Sequence, residues 1–174
     1  TLPMSFYFQN FIDAFEKAHM AEYLLNSVIV TALGLILLVI IALPASYVLA
    51  RFDFAGKKII NTLFMAGLFI NVNYIVVPIF LMLLDWDDVI YNLFGQTFFL
   101  DNIFVLAVVY ASTALPFTIY LLSGYFKTLP KAYEEAAFID GCGYFKTLIK
   151  LVAPMAKPST ITVILFNFLA FWNE

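Results

Sequence analysis

Three stretches of the chain, 23–50, 59–84 and 102–126, contain no Asp, Glu, Lys or Arg. An α-helix rises about 1.5 Å per residue, so a run of roughly 25 residues exceeds the ~30 Å hydrocarbon layer of a bilayer. Each stretch is therefore expected to be a membrane span, with length left over for tilt. A fourth apolar stretch, 158–174, starts the same way and is expected to be a span cut off by the end of the chain, which makes the sequence a fragment. The fold class that follows is an all-α, polytopic membrane helix bundle. One transmembrane domain, 24–174, is expected, with spans at about 24–50, 59–84, 102–126 and 158–174. Ahead of it lies a tail, 1–23, with Phe11, Ile12 and Phe15 at helical spacing, which suits a helix lying along the membrane surface and equally a loop with a short helix touching its own spans.

Each complete span carries a proline, Pro44, Pro78 or Pro116. A proline removes a backbone donor and bends the helix, and bent helices leave cavities between them. Ala42, Ser46 and Ala50 recur every four residues. Such a stripe lets two helices approach closely, which matters where apolar side chains gain nothing by leaving lipid.

The polar segment 127–157 interrupts this pattern. Pro130 stands where a first-turn proline is preferred and Gly141 where a left-handed helix cap wants glycine, so one short helix is expected over 131–140, "KAYEEAAFID". Glu134 and Glu135 sit near its positive end, and Ala136 with Ala137 keeps one surface thin enough to enter a groove. After the break at 141–143, Phe145, Leu148, Ile149 and Val152 form an apolar stripe, with Lys146 and Lys150 on another side. That spacing predicts a second helix lying across the membrane surface or packed beneath the spans. Pro154 and Pro158 then turn the chain back into the bilayer.

Composition agrees with a membrane protein, at 64% hydrophobic and 12% charged residues. The net charge of −3 matters less than where the basic residues fall. With the spans alternating, Arg51, Lys57, Lys58, Lys127, Lys131, Lys146, Lys150 and Lys157 share one side, and only Lys17 lies on the other. Basic residues in short loops stay cytoplasmic. The 127–157 loop therefore faces the cytoplasm, while the tail and the loop 85–101 face outward. That outer loop combines Trp86 and Tyr91 with Asp85, Asp87 and Asp88, which suits lipid headgroups or a partner protein.

Candidate chemistry within the spans is sparse. Asn71 and Asn73 fall near the middle of their stretch, where an unpaired amide facing lipid costs several kcal/mol, on the order of that for other unsatisfied polar groups. At about 100° per residue they point to nearly opposite sides, so both cannot line one path. Asn71 shares a face with Tyr74 and Pro78, and Tyr110 shares one with Thr113 and Phe117. Asn71, Asn73, Tyr74, Tyr110 and Thr113 are thus candidates for a polar solute path, against the alternative of interhelical hydrogen bonding. With no carboxylate or histidine pair at depth, a proton relay or intramembrane hydrolysis has no titratable groups to use. Gly56-Lys57 lacks the rest of a phosphate-binding loop. A single cysteine, Cys142, cannot form an internal disulfide, and one histidine, His19, cannot make a metal site.

The segment "EEAAFIDG", followed by Pro154, resembles the Glu-Ala-Ala loop of inner-membrane permease subunits of ATP-binding cassette (ABC) importers. Glu135, Ala136, Ala137 and Gly141 match that pattern, while the usual Ile and Leu before the proline are Leu151 and Ala153. "YLLNSVIV", "YVLARFDFAGKK" and "FWNE" are similar to the sugar-importing branch, in particular the second permease of maltose-type systems. The resemblance implies a type I importer permease with a core of six spans, of which this chain would hold the second to fourth and part of the fifth. It also implies two ATPase subunits, a homologous second permease, an extracytoplasmic solute-binding protein and a bacterial or archaeal cytoplasmic membrane as the location. ATP and Mg would sit in the ATPase, so this chain is expected to be a transport subunit with no catalytic residues, cofactor or metal of its own, and no nucleic-acid partner. The ATPase-coupling residues implied are Glu134, Glu135, Ala136, Ala137, Asp140, Gly141 and Pro154, with Glu135 at the contact. A permease for a polyamine or another solute shares this loop. A non-ABC secondary transporter or channel would share the bent spans, but has no reason to keep such a capped cytoplasmic helix.

Overall fold

The computed structural model describes residues 20–173, and the expected tail helix around Phe11 and Phe15 lies outside them. Seven helical segments follow one another: α1 Met20–Arg51, α2 Lys57–Gly67, α3 Val72–Phe94, α4 Ile103–Thr128, α5 Ala132–Ile139, α6 Tyr144–Met155 and α7 Lys157–Asn173. Helices α1 and α4 are long and apolar enough to cross a membrane singly, and the pairs α2–α3 and α6–α7 are bent by 104° and 75° at short breaks.

The core forms where α1 packs along α4, the most extensive helix contact, with α7 closing the group. Ala42 and Ser46 of the small-residue stripe have no exposed surface, and Leu38, Ala111, Leu122 and Phe126 fill the same seam. Small side chains bring the backbones together, and dispersion between close-packed surfaces then holds them. Gly34 serves the same end farther along α1, where an added Cβ would come within 3.3 Å of the Phe171 ring and 3.5 Å of the Ala107 carbonyl. Between α4 and α7 the buried Asn167 amide donates to Thr118 Oγ1 at 3.1 Å and to the Val163 carbonyl at 2.8 Å.

The stretch 59–84 is not one continuous helix but two, α2 and α3, bent by 104°. After Gly67 the chain leaves the helix and Asn71 caps the next one, its side chain accepting the Asn73 N–H at 3.0 Å. An asparagine oxygen satisfies an otherwise orphaned first-turn donor, so two residues that look like mid-span polar groups are a helix start. Gly67 marks a close approach, since a Cβ there would meet Pro116 Cγ at 2.9 Å. The outer loop also departs from expectation. Helix α3 continues through Asp85, Trp86, Asp87 and Asp88 to Phe94, and ends at Gly95 in the left-handed conformation, φ 71°.

In the 127–157 segment, α5 is two residues shorter than expected, and Pro130 lies outside it, two positions before Ala132. The stripe expected on the second helix is split. Leu148 and Val152 are buried in the core with Thr147, whereas Phe145 and Ile149 are exposed. A π turn over Leu148–Val152 inserts extra backbone and rotates the faces on either side of it, which spacing of 3.6 does not anticipate. Pro158 lies in the first turn of α7, and the bend at Ala156 returns the chain toward the bundle.

Candidate functional site

Two features stand out, one at each end of the α4 helix. At the cytoplasmic end, α5 is a stub of eight residues. Gly141 takes φ 77°, its N–H donates to the Phe138 carbonyl at 3.0 Å, and the Cys142 N–H donates to the Ala137 carbonyl at 2.9 Å. These two bonds form a Schellman cap, which uses carbonyls that a helix end otherwise leaves unpaired.

Glu134 and Glu135 are adjacent in sequence and opposite in role. Glu134 turns inward to pair with Arg51, the last residue of α1, with Nε 2.8 Å from Oε1, and both side chains are almost wholly enclosed. The Nε–H is not aligned on the carboxylate for a hydrogen bond, so the contact is chiefly Coulombic. Arg51 Nη2 also donates to the Leu129 carbonyl at 2.6 Å. Glu135 is exposed, as are Tyr133, Ala136, Asp140 and Ile139, the last at 86%; Ala137 is half-buried, and Pro154 is exposed on α6. The α5 helix therefore offers a short outward face with one free-standing carboxylate and an apolar tip. Close by, Lys57 Nζ donates to Asp53 Oδ1 at 2.8 Å and holds that carboxyl below its ordinary pKa.

The second feature is a cavity of about 590 Å³ between α3, the loop before α4 and α4 itself. Its polar lining is Asn73, Asp101, Asn102, Tyr110 and Thr113, set among Val, Ile, Leu and Phe side chains. Asn73, Tyr110 and Thr113 are brought together here, while Asn71 and Tyr74 do not line it. Thr113 Oγ1 donates to the Tyr110 carbonyl at 3.0 Å, leaving its lone pairs for the cavity. The Tyr110 ring lies against Phe171, with centroids 5.2 Å apart. Sequence reasoning missed Asp101 and Asn102. Asn102 caps α4 by accepting the Phe104 N–H at 2.9 Å, and Asp101 adopts φ 62°. An Asp-Asn pair just before an apolar run is a helix-start signal that could have placed both at this rim.

Outside the apolar part of α3, Asp87 closes the outer loop. Its Oδ1 accepts the N–H groups of Phe98 at 2.6 Å and Phe99 at 2.9 Å. Those bonds, Phe98 first, favour the ionised form and hold the carboxyl below its ordinary pKa. Trp86 packs on Phe99 at 5.5 Å.

A multi-pass helical membrane subunit that presents a capped cytoplasmic stub describes a class, and comparison narrows it. Residues 42–174 match the family described as "Binding-protein-dependent transport system inner membrane component", and the chain belongs to that family. It is 38% identical over its whole length to the diacetylchitobiose uptake system permease protein NgcG of Streptomyces coelicolor, of which it covers 54%. To the melibiose/raffinose/stachyose import permease protein MelC of Bacillus subtilis it is 31% identical, over 99% of this chain and 59% of that protein. A crystal structure of a bacterial ABC transporter involved in the import of the acidic polysaccharide alginate superposes with a TM-score of 0.70 at 26% identity, covering 85% of this chain and 48% of that one. The chain thus spans about half the length of the curated relatives it matches. Its fold is that of an ABC importer permease, and its place is the cytoplasmic membrane.

Proposed function

We propose that this chain forms part of one half of the translocation path of an ATP-driven importer for a neutral sugar or oligosaccharide, and that α5 couples it to an ATPase. The observation that carries the reading is the α5 stub. A helix of eight residues gains little from its own hydrogen bonds, so a stub capped at one end and ion-paired at the other is suited to being gripped from outside. Its outward face, with Glu135 beside the apolar tip at Ile139, fits a cleft carrying a basic residue. Glu135, Ala136, Ala137, Asp140 and Gly141 then form the docking element, with Pro154 supporting the turn behind it.

The choice of solute rests on two supports. Relatives are named for diacetylchitobiose and for melibiose, raffinose and stachyose. In addition, the cavity carries a single carboxylate, Asp101, beside amide and hydroxyl groups, which suits a polyol better than a polycation. The remaining partners would be a second ATPase, a homologous permease and an extracytoplasmic solute-binding protein, with ATP and Mg bound by the ATPase pair.

The test uses the full-length permease co-expressed with its partners. Glu135→Lys is expected to lower recovery of the ATPase on affinity purification by about tenfold, as for loss of one charge-assisted contact that becomes repulsive. Unchanged recovery would count against the docking assignment. Uptake of a labelled polyamine without uptake of a labelled disaccharide would overturn the choice of solute.

A further inference from the structure

Arg51 is one of the side chains that tie the cytoplasmic stub to the bundle. Arg51 ends α1, yet its guanidinium reaches the last carbonyl of the α4 exit, Leu129, and the first turn of α5, at Glu134. Both contacts follow helix electrostatics, since a cation is favoured at a helix C-terminus and an anion at an N-terminus. The Arg51 side chain is only 5% exposed and that of Glu134 11%. An aromatic relay runs beside the pair: Tyr47 meets Phe52 at 5.6 Å, Phe52 meets Tyr144 at 5.3 Å, and Tyr144 meets Phe138 at 4.9 Å, all edge to face. Thus α5 is tied to α1 by an ion pair and by rings, although in sequence it follows α4.

Stability alone does not account for this arrangement. Burying an ion pair costs desolvation that an apolar replacement would avoid. Here Arg51 Nε and Glu134 Oε1 also face each other without hydrogen-bond alignment, with the Tyr47 hydroxyl beside Glu134. What Arg51 supplies that an apolar contact does not is attachment on two sides, since the guanidinium that faces Glu134 also donates through Nη2 to the Leu129 carbonyl.

We infer that Arg51 is a positioning residue for coupling: it makes α5 move as one body with α1, so that a displacement of the stub enters the bundle through the tightly packed α1–α4 seam. This rests on the proposed role of α5. A flexible link at α5 would let the stub follow an ATPase without moving the spans, whereas a three-point joint transmits the motion.

The experiment reconstitutes the complete transporter in nanodiscs and measures ATP hydrolysis with and without loaded binding protein, together with solute uptake. Arg51→Gln is expected to keep the ATPase bound and leave unstimulated hydrolysis within about twofold, while stimulated hydrolysis falls about tenfold and more ATP is used per solute. Arg51→Lys keeps the charge but reaches one partner at a time, so it is expected to fall between Arg51→Gln and the parent protein. Stimulated hydrolysis at the parent level in Arg51→Gln overturns the inference. If Arg51→Gln fails to assemble, Arg51→Lys decides: a reduced ratio of stimulated to unstimulated hydrolysis supports the inference, and a parent ratio overturns it. Failure of the parent permease itself to recover an ATPase sinks the proposed function as well, so the two failures are distinguishable.

Discussion

The α1–α4 pair and the α2–α3 arm are equally free of charge over 23–50, 59–84 and 102–126, yet they fold to opposite ends. The first buries Leu38, Ala42, Ser46, Leu122 and Phe126 almost completely. Of the second, α2 buries no residue and α3 buries only Asp87, at the edge of the outer loop. Lack of charge reports the solvent a segment tolerates; small residues at four-residue spacing report whether it packs on a helix of its own chain. In lipid an apolar side chain is already in an apolar medium, so hydropathy cannot tell core from periphery.

The largest expected effect breaks the packed side of this contrast. Ala42→Leu adds three carbons where no surface is exposed and should cost about 1–3 kcal/mol through forced rotamers and backbone shifts. Val77→Leu on α3, at a site 62% exposed, should change stability by less than about 0.5 kcal/mol. Thermal unfolding of both variants in the same detergent measures the difference, and equal losses would erase the distinction between the two regions.

A somewhat smaller effect is expected where the arm touches the core. Gly67→Ala drives a Cβ to 2.9 Å from the rigid Pro116 ring, whereas Gly124→Ala on α4 meets nothing within 4 Å. The first should cost on the order of 1 kcal/mol by overpacking, and the second should be neutral or stabilising by up to about 1 kcal/mol from helix propensity. If both proved neutral in the same unfolding assay, the arm would not rest on α4 at that point.

How much of this was legible in the sequence depends on whether a residue's role is local. Gly141 could be read because a left-handed cap is a demand of the backbone itself. Ala42 and Ser46 could be read because their spacing is the helix repeat. Asn71 was misplaced: within an uncharged run an amide reads as a mid-span polar group, and its real signal, a glycine four residues before an Asn-x-Asn, speaks of a helix end and a new start. Arg51 counted only as a charge that sets orientation, and which of Glu134 and Glu135 faces inward is settled by a partner 83 residues away from Glu134 in the chain. The cavity rim at Asp101 and Asn102 likewise depends on how α3 leans over α4.

Asn167 tests whether the packed side owes anything to polar contacts. Asn167→Leu removes the donation to Thr118 while keeping the branching and the number of side-chain heavy atoms, and should cost about 0.6 kcal/mol, the typical value for an interhelical hydrogen bond in a membrane. A loss as large as that expected for Ala42→Leu would mean that the seam is held by hydrogen bonding as much as by shape.

The smallest effect concerns the one residue the arm does bury. Because the Phe98 and Phe99 amides bind the ionised form of Asp87, its carboxyl titrates below the ordinary 3.8 in the folded state. A depressed pKa stabilises the fold above the unfolded value, and that contribution is lost as pH falls through the folded one. Amide exchange at Phe98 and Phe99, corrected for the intrinsic rate, should therefore be slow at neutral pH and accelerate only in acid below 3.8. Asp87→Asn keeps an acceptor oxygen but cannot ionise, so it should retain most of the protection and lose its pH dependence. A loop that loosens equally in the parent and in Asp87→Asn would show that the carboxylate does not close it, and the arm would then have no buried anchor among the described residues.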